Sequence, residues 1–501
     1  PAAWADITQG LLVLLAVAFC CRGAGSLRYG VLLGLALPAL RYALSPAYRC
    51  RVRAWFARLR TDLAAYPAGG KTPWLATLVF VTVPVVAFLA WTPETVGGDS
   101  QPVMLTTVRL VTHGDCDLSE YGVGSPVYQL FGPGRFGPLP YFLERTRTGI
   151  YPHYPSGMVA FALPVAAAAR CLGARLDDLT VRARLEKWTA CWVCGGCLGL
   201  FFLLALHLAP PRPVWALTAI LATGSVFSTT IGQLLWQHGG VIFWGLLALL
   251  IEFRRTSRPF RGATVLQGAA CALMGACRLS SAVFVVPFGA WVLLREPRRA
   301  LALAACALLF YLPWAGLYWS MYGNFFGPST GQMALGKWTH GHFALAGVLF
   351  SPARGVFVYQ PWLLLGAAAL LPAVRRRLPA SRAPCPAGWP LFCAAVIVLQ
   401  LAVVSAWSMW WGGICWGSRL ASEIIPLAAL LCVRPVAGLW AYRPGRGIIL
   451  ALALLSALLH APYLHGRAGE WAGHCDLNIH RDLLWSWSDP PFLYPLLHGR
   501  R

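Results

Sequence analysis

The stretch PWLATLVFVTVPVVAFLAW at residues 73–91, followed by TPETVGGDS at 92–100, decides the fold. The first part carries no charged side chain and comes close to the roughly 20 apolar residues that cross a bilayer. The second turns polar at once and places Asp99 behind Gly97 and Gly98. The pair reads as a membrane helix that delivers a carboxylate just outside its end. Working outward, comparable apolar runs fall at 7–21, 29–44, 188–208, 214–230, 239–253, 263–277, 279–294, 301–320, 356–374, 391–407, 419–433 and 447–464. That makes roughly thirteen candidate spans by the length criterion.

The whole chain agrees. Of 501 residues, 58% are hydrophobic and only 12% charged, and the mean hydropathy is +0.60. Ordinary globular domains carry about a quarter charged residues. The composition excludes a soluble enzyme, a disordered chain and a secreted disulfide scaffold, and predicts an all-α polytopic membrane protein. Lys and Arg number 41 against 18 Asp and Glu, a formal charge of +23. The excess comes from basic loops on the cytoplasmic side, not from a nucleic-acid surface. Those loops hold Arg49, Arg51, Arg53, Arg58, Arg60 and Lys71; Arg254, Arg255, Arg258 and Arg261; Arg295, Arg298 and Arg299; Arg375, Arg376 and Arg377; and Arg443 with Arg446. Segments 92–155, 321–355, 408–418 and the tail from 465 then face outward. Residues 157–172 are apolar enough to span, but a span there would send Arg254–Arg261 outside. They read instead as an interfacial helix, leaving an outer loop of 92–187. The expected divisions are 1–72 (a helical hairpin and basic loop), 73–320 (a catalytic core), 321–464 (additional helices) and 465–501 (an outer tail). The first residue is Pro, which fits a longer or processed chain, and no secretory cleavage pattern is read.

Cys191, Cys194 and Cys197 form the one CxxC-type run. It has no matching second pair, so a zinc site is not expected. Cys116, Cys415 and Cys475 fall on the outer side, where a disulfide between two of them is an option.

Candidate chemistry gathers on the outer segments. Asp99 suits deprotonation of an acceptor hydroxyl or the holding of a divalent metal, although Gly-Gly-Asp-Ser is also ordinary turn chemistry. Asp115, Asp117 and Glu120 follow without the full calcium pattern, and capping of a short helix explains them equally well. In Tyr151-Pro152-His153-Tyr154 the rings suit either a membrane boundary or a sugar face. Gln237 and His238 follow the 214–230 run. Arg278 stands between two apolar runs and Arg419 closes Trp410-Trp411-Gly412-Gly413…Gly417-Ser418-Arg419. A cation at such depth needs a partner, and a guanidinium fork fits phosphate oxygens. Glu423, four residues after Arg419, is the alternative partner for that arginine. Lys337 is a weaker cation of the same kind. His340 and His342 with His238 form an unforced zinc option.

In order and placement these elements resemble the GT-C superfamily of membrane glycosyltransferases, which includes protein O-mannosyltransferases and the aminoarabinose transferases of lipid A. The resemblance covers 73 to about 320: a span, a long outer loop with the early acid Asp99, an interfacial helix, a span, the inner turn Pro210-Pro211-Arg212-Pro213, and a span rising to a second short outer loop. It implies a GT-C-like helix bundle, a catalytic role for Asp99 and a sugar donor on polyprenyl phosphate. Asp115, Glu120, Tyr151, His153, Gln237, His238, Arg278, Lys337, Trp411 and Arg419 are then expected to bind substrate. Where related enzymes carry an Asp in the second loop this chain has Gln237-His238, which speaks against a metal-dependent or two-carboxylate mechanism. No cofactor is required, although a divalent metal stays open. The expected partners are the lipid-linked donor, a lipid, glycan or protein acceptor, and the bilayer of the plasma (inner) membrane; nucleic acid is not among them. An oligosaccharide ligase or polymerase predicts the same basic face, whereas a flippase predicts charges deep within spans.

Overall fold

The computed structural model describes residues 45–66, 73–92, 97–133, 138–328, 344–372, 376, 378–413, 415–466, 471, 477 and 479–498. The expected spans at 7–21 and 29–44, together with Lys337, His340, His342 and Cys475, lie outside the described residues.

Among the described residues the chain is all-α apart from one small hairpin. Its helices are α1 (Pro46–Ala65), α2 (Trp74–Trp91), α3 (Gln101–Thr112), α4 (Pro126–Phe131), α5 (Val159–Cys171), α6 (Leu179–Leu208), α7 (Pro211–Thr223), α8 (Gln237–Ser257) and α9 (Ala263–Cys277). They continue as α10 (Ala282–Arg295), α11 (Pro297–Tyr322), α12 (Leu345–Phe350), α13 (Val356–Tyr359), α14 (Trp389–Ala406), α15 (Ile425–Trp440), α16 (Arg443–Leu464) and α17 (Tyr494–Leu497). Strands β1 (Leu143–Arg145) and β2 (Ile150–Pro152) pair antiparallel, with Glu144 opposite Tyr151. Among the described residues five helices are long and apolar enough to cross a membrane: α6, α11, α14, α15 with its leading turn from Arg419, and α16. This is a multi-pass membrane protein.

One apolar core runs from Leu63 to Ile449 and joins the expected 73–320 and 321–464 divisions. At its centre α6 packs on α2, α8, α7 and α15. Close approach needs small residues, and a Cβ on Gly199 would meet Val81 and Thr77 of α2 at 3.0 and 3.2 Å. By contrast α11 and α16 bury little of their length; Leu301, Leu308, Leu312, Leu450, Leu454 and Leu458 are exposed, the dress of lipid-facing helices.

Three expectations are corrected in detail. The run at 188–208 begins earlier, because Asp178 accepts from the Thr180 N–H at 2.7 Å and caps α6 at Leu179, satisfying an otherwise orphaned helix donor. The run at 356–374 is not one helix. Pro361 supplies no N–H and crowds Gln360, so the chain makes the short α13 and then a 3₁₀ segment, Pro361–Leu370. The run at 214–230 breaks at Gly224 and ends in a π turn, Phe227–Ile231. A break at membrane depth leaves carbonyls that must find donors inside the protein. Phe227 O takes the Gly232 N–H at 2.9 Å, and the thiols of α6 add further donors along this segment and the start of α8. Cys194 Sγ donates to Phe227 O (3.5 Å), Cys191 Sγ to Gly232 O (3.3 Å) and Cys197 Sγ to Gly239 O (3.7 Å). The Gln233 amide donates to Ser228 O.

At the far end of α8 from His238, Glu252 is fully buried and accepts from Arg295 (2.9 Å), Arg255, Arg299 and Gln267 (3.0 Å). This knot ties α8, α9, α10 and α11 together. Removing the carboxylate takes an acid from Arg295 and leaves Arg255 and Arg299 to share Glu296. Glu252→Ala is expected to cost about 3–5 kcal/mol, read as a large drop in Tm in detergent micelles. Glu296→Ala, which removes a carboxylate 35% exposed, is expected to cost far less.

Candidate functional site

The site is built where the polypeptide leaves α2 and returns through the second loop. Thr92 ends α2, and its hydroxyl accepts from Lys187 Nζ at 2.6 Å. The same ammonium donates to Gln233 in the second loop. One residue earlier, Glu186 is fully buried; it accepts from Gln101 Nε2 (3.2 Å) and from the Leu235 N–H (3.2 Å). This adjacent pair on α6 clamps both loops to one helix, and it fixes the turn Gly97–Ser100 in place.

On that turn Asp99 accepts from three side chains. Arg419 Nη1 donates to Oδ2 at 2.8 Å, while the Tyr141 and Tyr154 hydroxyls donate to Oδ1 at 2.8 and 3.1 Å. Gln237 Nε2 lies 3.5 Å from the Asp99 carbonyl. The preceding glycines make this approach feasible. A Cβ at Gly98 would collide with the Tyr141 hydroxyl, and one at Gly97 would sit 2.5 Å from Leu234 Cδ1. Burial is the largest single influence on Asp99 and opposes its charge. Arg419 and the hydrogen bonds from Tyr141, Arg419 and Tyr154 together outweigh it and hold the carboxyl below its ordinary 3.8. Burial and the Asp99 charge push the Tyr154 hydroxyl well above its usual range, so it donates and does not ionise.

Arg419 is held independently of Asp99. Its Nη2 donates to Gly412 O at 2.7 Å, and its guanidinium lies 4.3 Å from the centre of the Trp236 ring, a cation–π contact. Its Nε is buried and has no partner among the described residues.

A second ionic group adjoins the first. Arg278 Nη1 donates to Glu423 Oε1 at 3.2 Å, and His238 Nδ1 lies 3.0 Å from the same oxygen. Arg278 follows the last turn of α9 and is 26% exposed on its side chain, against 9% for Glu423. Tyr154 lies between the two groups: its hydroxyl donates to Asp99, and the charges of Arg419 and Arg278 both act on it. A pin sets that spacing. Tyr318 Oη donates to Ala276 O (2.9 Å) and accepts from the Ser156 N–H (3.1 Å), while the Gly157 N–H also reaches Ala276 O (2.9 Å). Beside Glu423 lies a small apolar cleft, lined by Val241, Leu246, Phe284, Val396, Ile424 and Leu427 among others.

The structure thus brings together Asp99, Gln237, His238, Arg278 and Arg419. Trp411 lines a small cavity with Arg419; Asp115, Glu120, Tyr151 and His153 make other contacts. Asp115 and Glu120 both bind Arg109, at 2.7 and 3.2 Å, while Asp117 accepts from the Ser119 and Ile150 N–H groups, both at 3.1 Å. These acids build the loop. Tyr151 is buried against Tyr322, ring centres 5.9 Å apart. His153 Nδ1 lies 3.0 Å from Glu144. Trp411 is buried in a knot with Ala353, Trp471, Leu477, Leu484 and Tyr494 that seats the tail. Glu423 partners Arg278 and His238, not Arg419. Tyr141, the Tyr154 hydroxyl, Trp236, Glu186 and the placement of Lys187 were not read from the sequence.

The donor set at Asp99 does not fit a divalent cation, since a guanidinium and two phenols occupy its oxygens. Among the described residues no three His, Cys, Asp or Glu side chains converge. Cys116 and Cys415 are free thiols, so they do not form the disulfide pair considered above.

No family model and no curated protein matches the sequence. A search of solved structures finds similarity to ArnT from Cupriavidus metallidurans in the apo state, at 17% identity and TM-score 0.46, over 78% of this chain and 64% of that one. The chain therefore spans just under two thirds of the length of that protein.

The Asp99 pairing sets an acid limit on stability. A carboxyl held below its ordinary value leaves the folded protein with fewer bound protons than the unfolded one. The resulting stabilisation is complete above the ordinary value and is lost as pH falls through the lowered one. In detergent, the Tm of the wild type is expected to fall more steeply below about pH 4 than that of Asp99→Asn. Parallel curves would count against the pairing.

Proposed function

We propose that this protein is a GT-C-type glycosyltransferase that moves a sugar from a polyprenyl-phosphate-linked donor to an acceptor hydroxyl at the extracytoplasmic face of the plasma membrane. One observation carries the reading: Asp99 with Arg419, Tyr141 and Tyr154 adjoins the Arg278–Glu423–His238 group beside an apolar cleft. An isoprenoid chain suits the cleft, and its phosphate then reaches Arg278 and Arg419, whose forks match phosphate oxygens. Sidedness is supported by the charge distribution. Arg254, Arg255, Arg295 and Arg299 gather at the other end of α8, as the positive-inside bias requires. On this reading α5 lies in the outer interface and residues 73–320 form the catalytic core.

The reaction is a displacement at the anomeric carbon. The acceptor oxygen forms the new bond to that carbon, and the bond from carbon to phosphate oxygen breaks. Polyprenyl phosphate leaves with the electron pair, stabilised by the arginines. The acceptor proton passes to Asp99. The phenols of Tyr141 and Tyr154 orient the Asp99 carboxylate for that transfer. A lipid, a glycan or a protein hydroxyl can each serve as acceptor in this scheme. A flippase would need ionisable groups through the bilayer, whereas α8 buries Val241, Ile242, Leu246, Leu249 and Leu250 between its two ionic ends.

The test is transfer from a synthetic polyprenyl-phosphate sugar by protein reconstituted in liposomes. Asp99→Asn is expected to lower kcat about 10²–10⁴-fold, the usual contribution of a positioned base. Arg278→Ala is expected to raise the donor KM about tenfold or more, the loss of one charge-assisted contact. Unchanged turnover in Asp99→Asn would remove that residue from the chemistry.

A further inference from the structure

The chain after α16 returns to the bundle and presents two faces. The inner face is the knot that seats Trp411: Trp471, Leu477, Leu484 and Tyr494 are buried in it. Polar contacts hold it there. Ser351 Oγ donates to Leu484 O, Trp471 Nε1 donates to Asp489 O at 3.2 Å, and the Arg481 guanidinium lies 5.0 Å from the centre of the Trp411 ring. The outer face carries Ile479, Trp485, Trp487, Leu493, Leu496 and Leu497, all exposed, Trp487 by 61% and Leu496 by 71%. A single exposed apolar side chain needs no explanation, but six within nineteen residues mark a surface that meets something. Ring contacts fix its depth. The 22 residues of α16 measure about 33 Å, close to the roughly 30 Å of bilayer hydrocarbon, so its ends lie near the two boundaries. His460 comes four residues, about 6 Å, before the end at Leu464. The Tyr359 ring lies 5.8 Å from that of His460 and 5.8 Å from that of Phe492. Two such steps take Phe492 at most about 6 Å beyond the end of α16, within the polar layer of about 5–8 Å on each side of the hydrocarbon.

We propose that residues 479–497 form an interfacial anchor: on the Asp99 side of the membrane their exposed face rests on the phospholipid surface, with Trp485 and Trp487 among the headgroups. Tryptophan suits that boundary because one ring offers an apolar body and a polar N–H. The leucines and Ile479 bury apolar area against the adjoining acyl carbons, as an amphipathic segment does when it lies in the interface plane. Lipid is at hand, since α16, two ring contacts away, already shows Leu450, Leu454 and Leu458 to it. Charge plays a small part. The segment sets Arg481 against Asp482 and Asp489, so nothing in it selects anionic headgroups and a zwitterionic lipid suffices. The hold passes inward through Trp411. Its carbonyl accepts from Arg354 Nε at 3.0 Å, and the next carbonyl, Gly412 O, accepts from Arg419 Nη2 at 2.7 Å. A tail fixed on lipid therefore steadies the loop that sets Arg419 against Asp99. None of this depends on what is transferred there.

Photocrosslinking tests the contact. A diazirine-bearing amino acid is placed at position 487 or 496 of the full-length protein in phosphatidylcholine liposomes, with position 454 on α16 as the lipid-facing reference. After irradiation the adducts are identified by intact-protein mass spectrometry and gel electrophoresis. Phosphatidylcholine adducts are expected at 487 and 496 in yields comparable to that at 454. A crosslinked dimer would assign the face to a second copy, and a label quenched only by water would leave it in solvent; either overturns the anchor. The double variant Trp485→Asp/Trp487→Asp puts two charges on exposed sites, where the fold tolerates them. In it the lipid adduct at 496 is expected to be lost, and amide exchange across 410–419 to quicken about tenfold through easier local opening. Unchanged exchange in α6 shows that the bundle is intact. A retained adduct overturns the anchor, and unchanged exchange across 410–419 with the adduct lost overturns its hold on the loop. The labels at 487 and 496 in the otherwise unaltered protein decide the contact whatever the double variant does.

Discussion

Charge taken out of water must find a partner, and that constraint organises this protein at both ends of its bundle. Glu252 collects Arg255, Arg295 and Arg299 at one end. Asp99 with Arg419, and Glu423 with Arg278 and His238, do the same at the other. The two ends differ in kind. The Glu252 knot joins four consecutive helices around one fully buried carboxylate, so it contributes to cohesion. The Asp99 and Glu423 groups are assembled from a loop, two helix starts and a 3₁₀ turn that are distant in sequence. Such a construction suits a place where a substrate enters and partners change.

The irregular backbone around the site follows from the same accounting. Between Gly224 and Gln237 the chain abandons α-helical geometry while staying buried, and each carbonyl it exposes needs a donor. Cys191, Cys194 and Cys197 stand one turn apart on α6 and meet Gly232, Phe227 and Gly239. Thiols are weak donors, but they are small enough for helices in close contact. Glu186 and Lys187, at the outer end of the same face, meet the loop itself. A single helix therefore carries the supports of the second loop from the membrane interior to the hollow.

Much of this was legible in the sequence, and the misses have physical causes. Charge-poor runs marked the helices, and an arginine stranded between two such runs marked Arg278. The carboxylate after the glycine pair marked Asp99. Glu423 was legible as a partner for an arginine but was assigned to the wrong one. Four residues apart on an α-helix, Arg419 and Glu423 would share a face; in the 3₁₀ turn Arg419–Ile424, with three residues per turn, they diverge. Arg419 turns to the first loop and Glu423 to α8. Tyr141 and Tyr154 reach Asp99 across long stretches of loop, a contact that no local pattern encodes. Asp115 and Glu120 misled because a cluster of acids looks the same whether it awaits a ligand or surrounds Arg109.

Tyr318 carries a consequence of its own. It sits on α11, a helix whose surface is exposed and apolar along most of its length, yet its hydroxyl pins Ser156 to Ala276, two residues before Arg278. Any tilt that α11 adopts to match its surroundings is passed through that phenol to the rim of the cavity. Lipid thickness thereby gains a mechanical lever on the protein, and the composition of the host membrane becomes part of the geometry around Arg278.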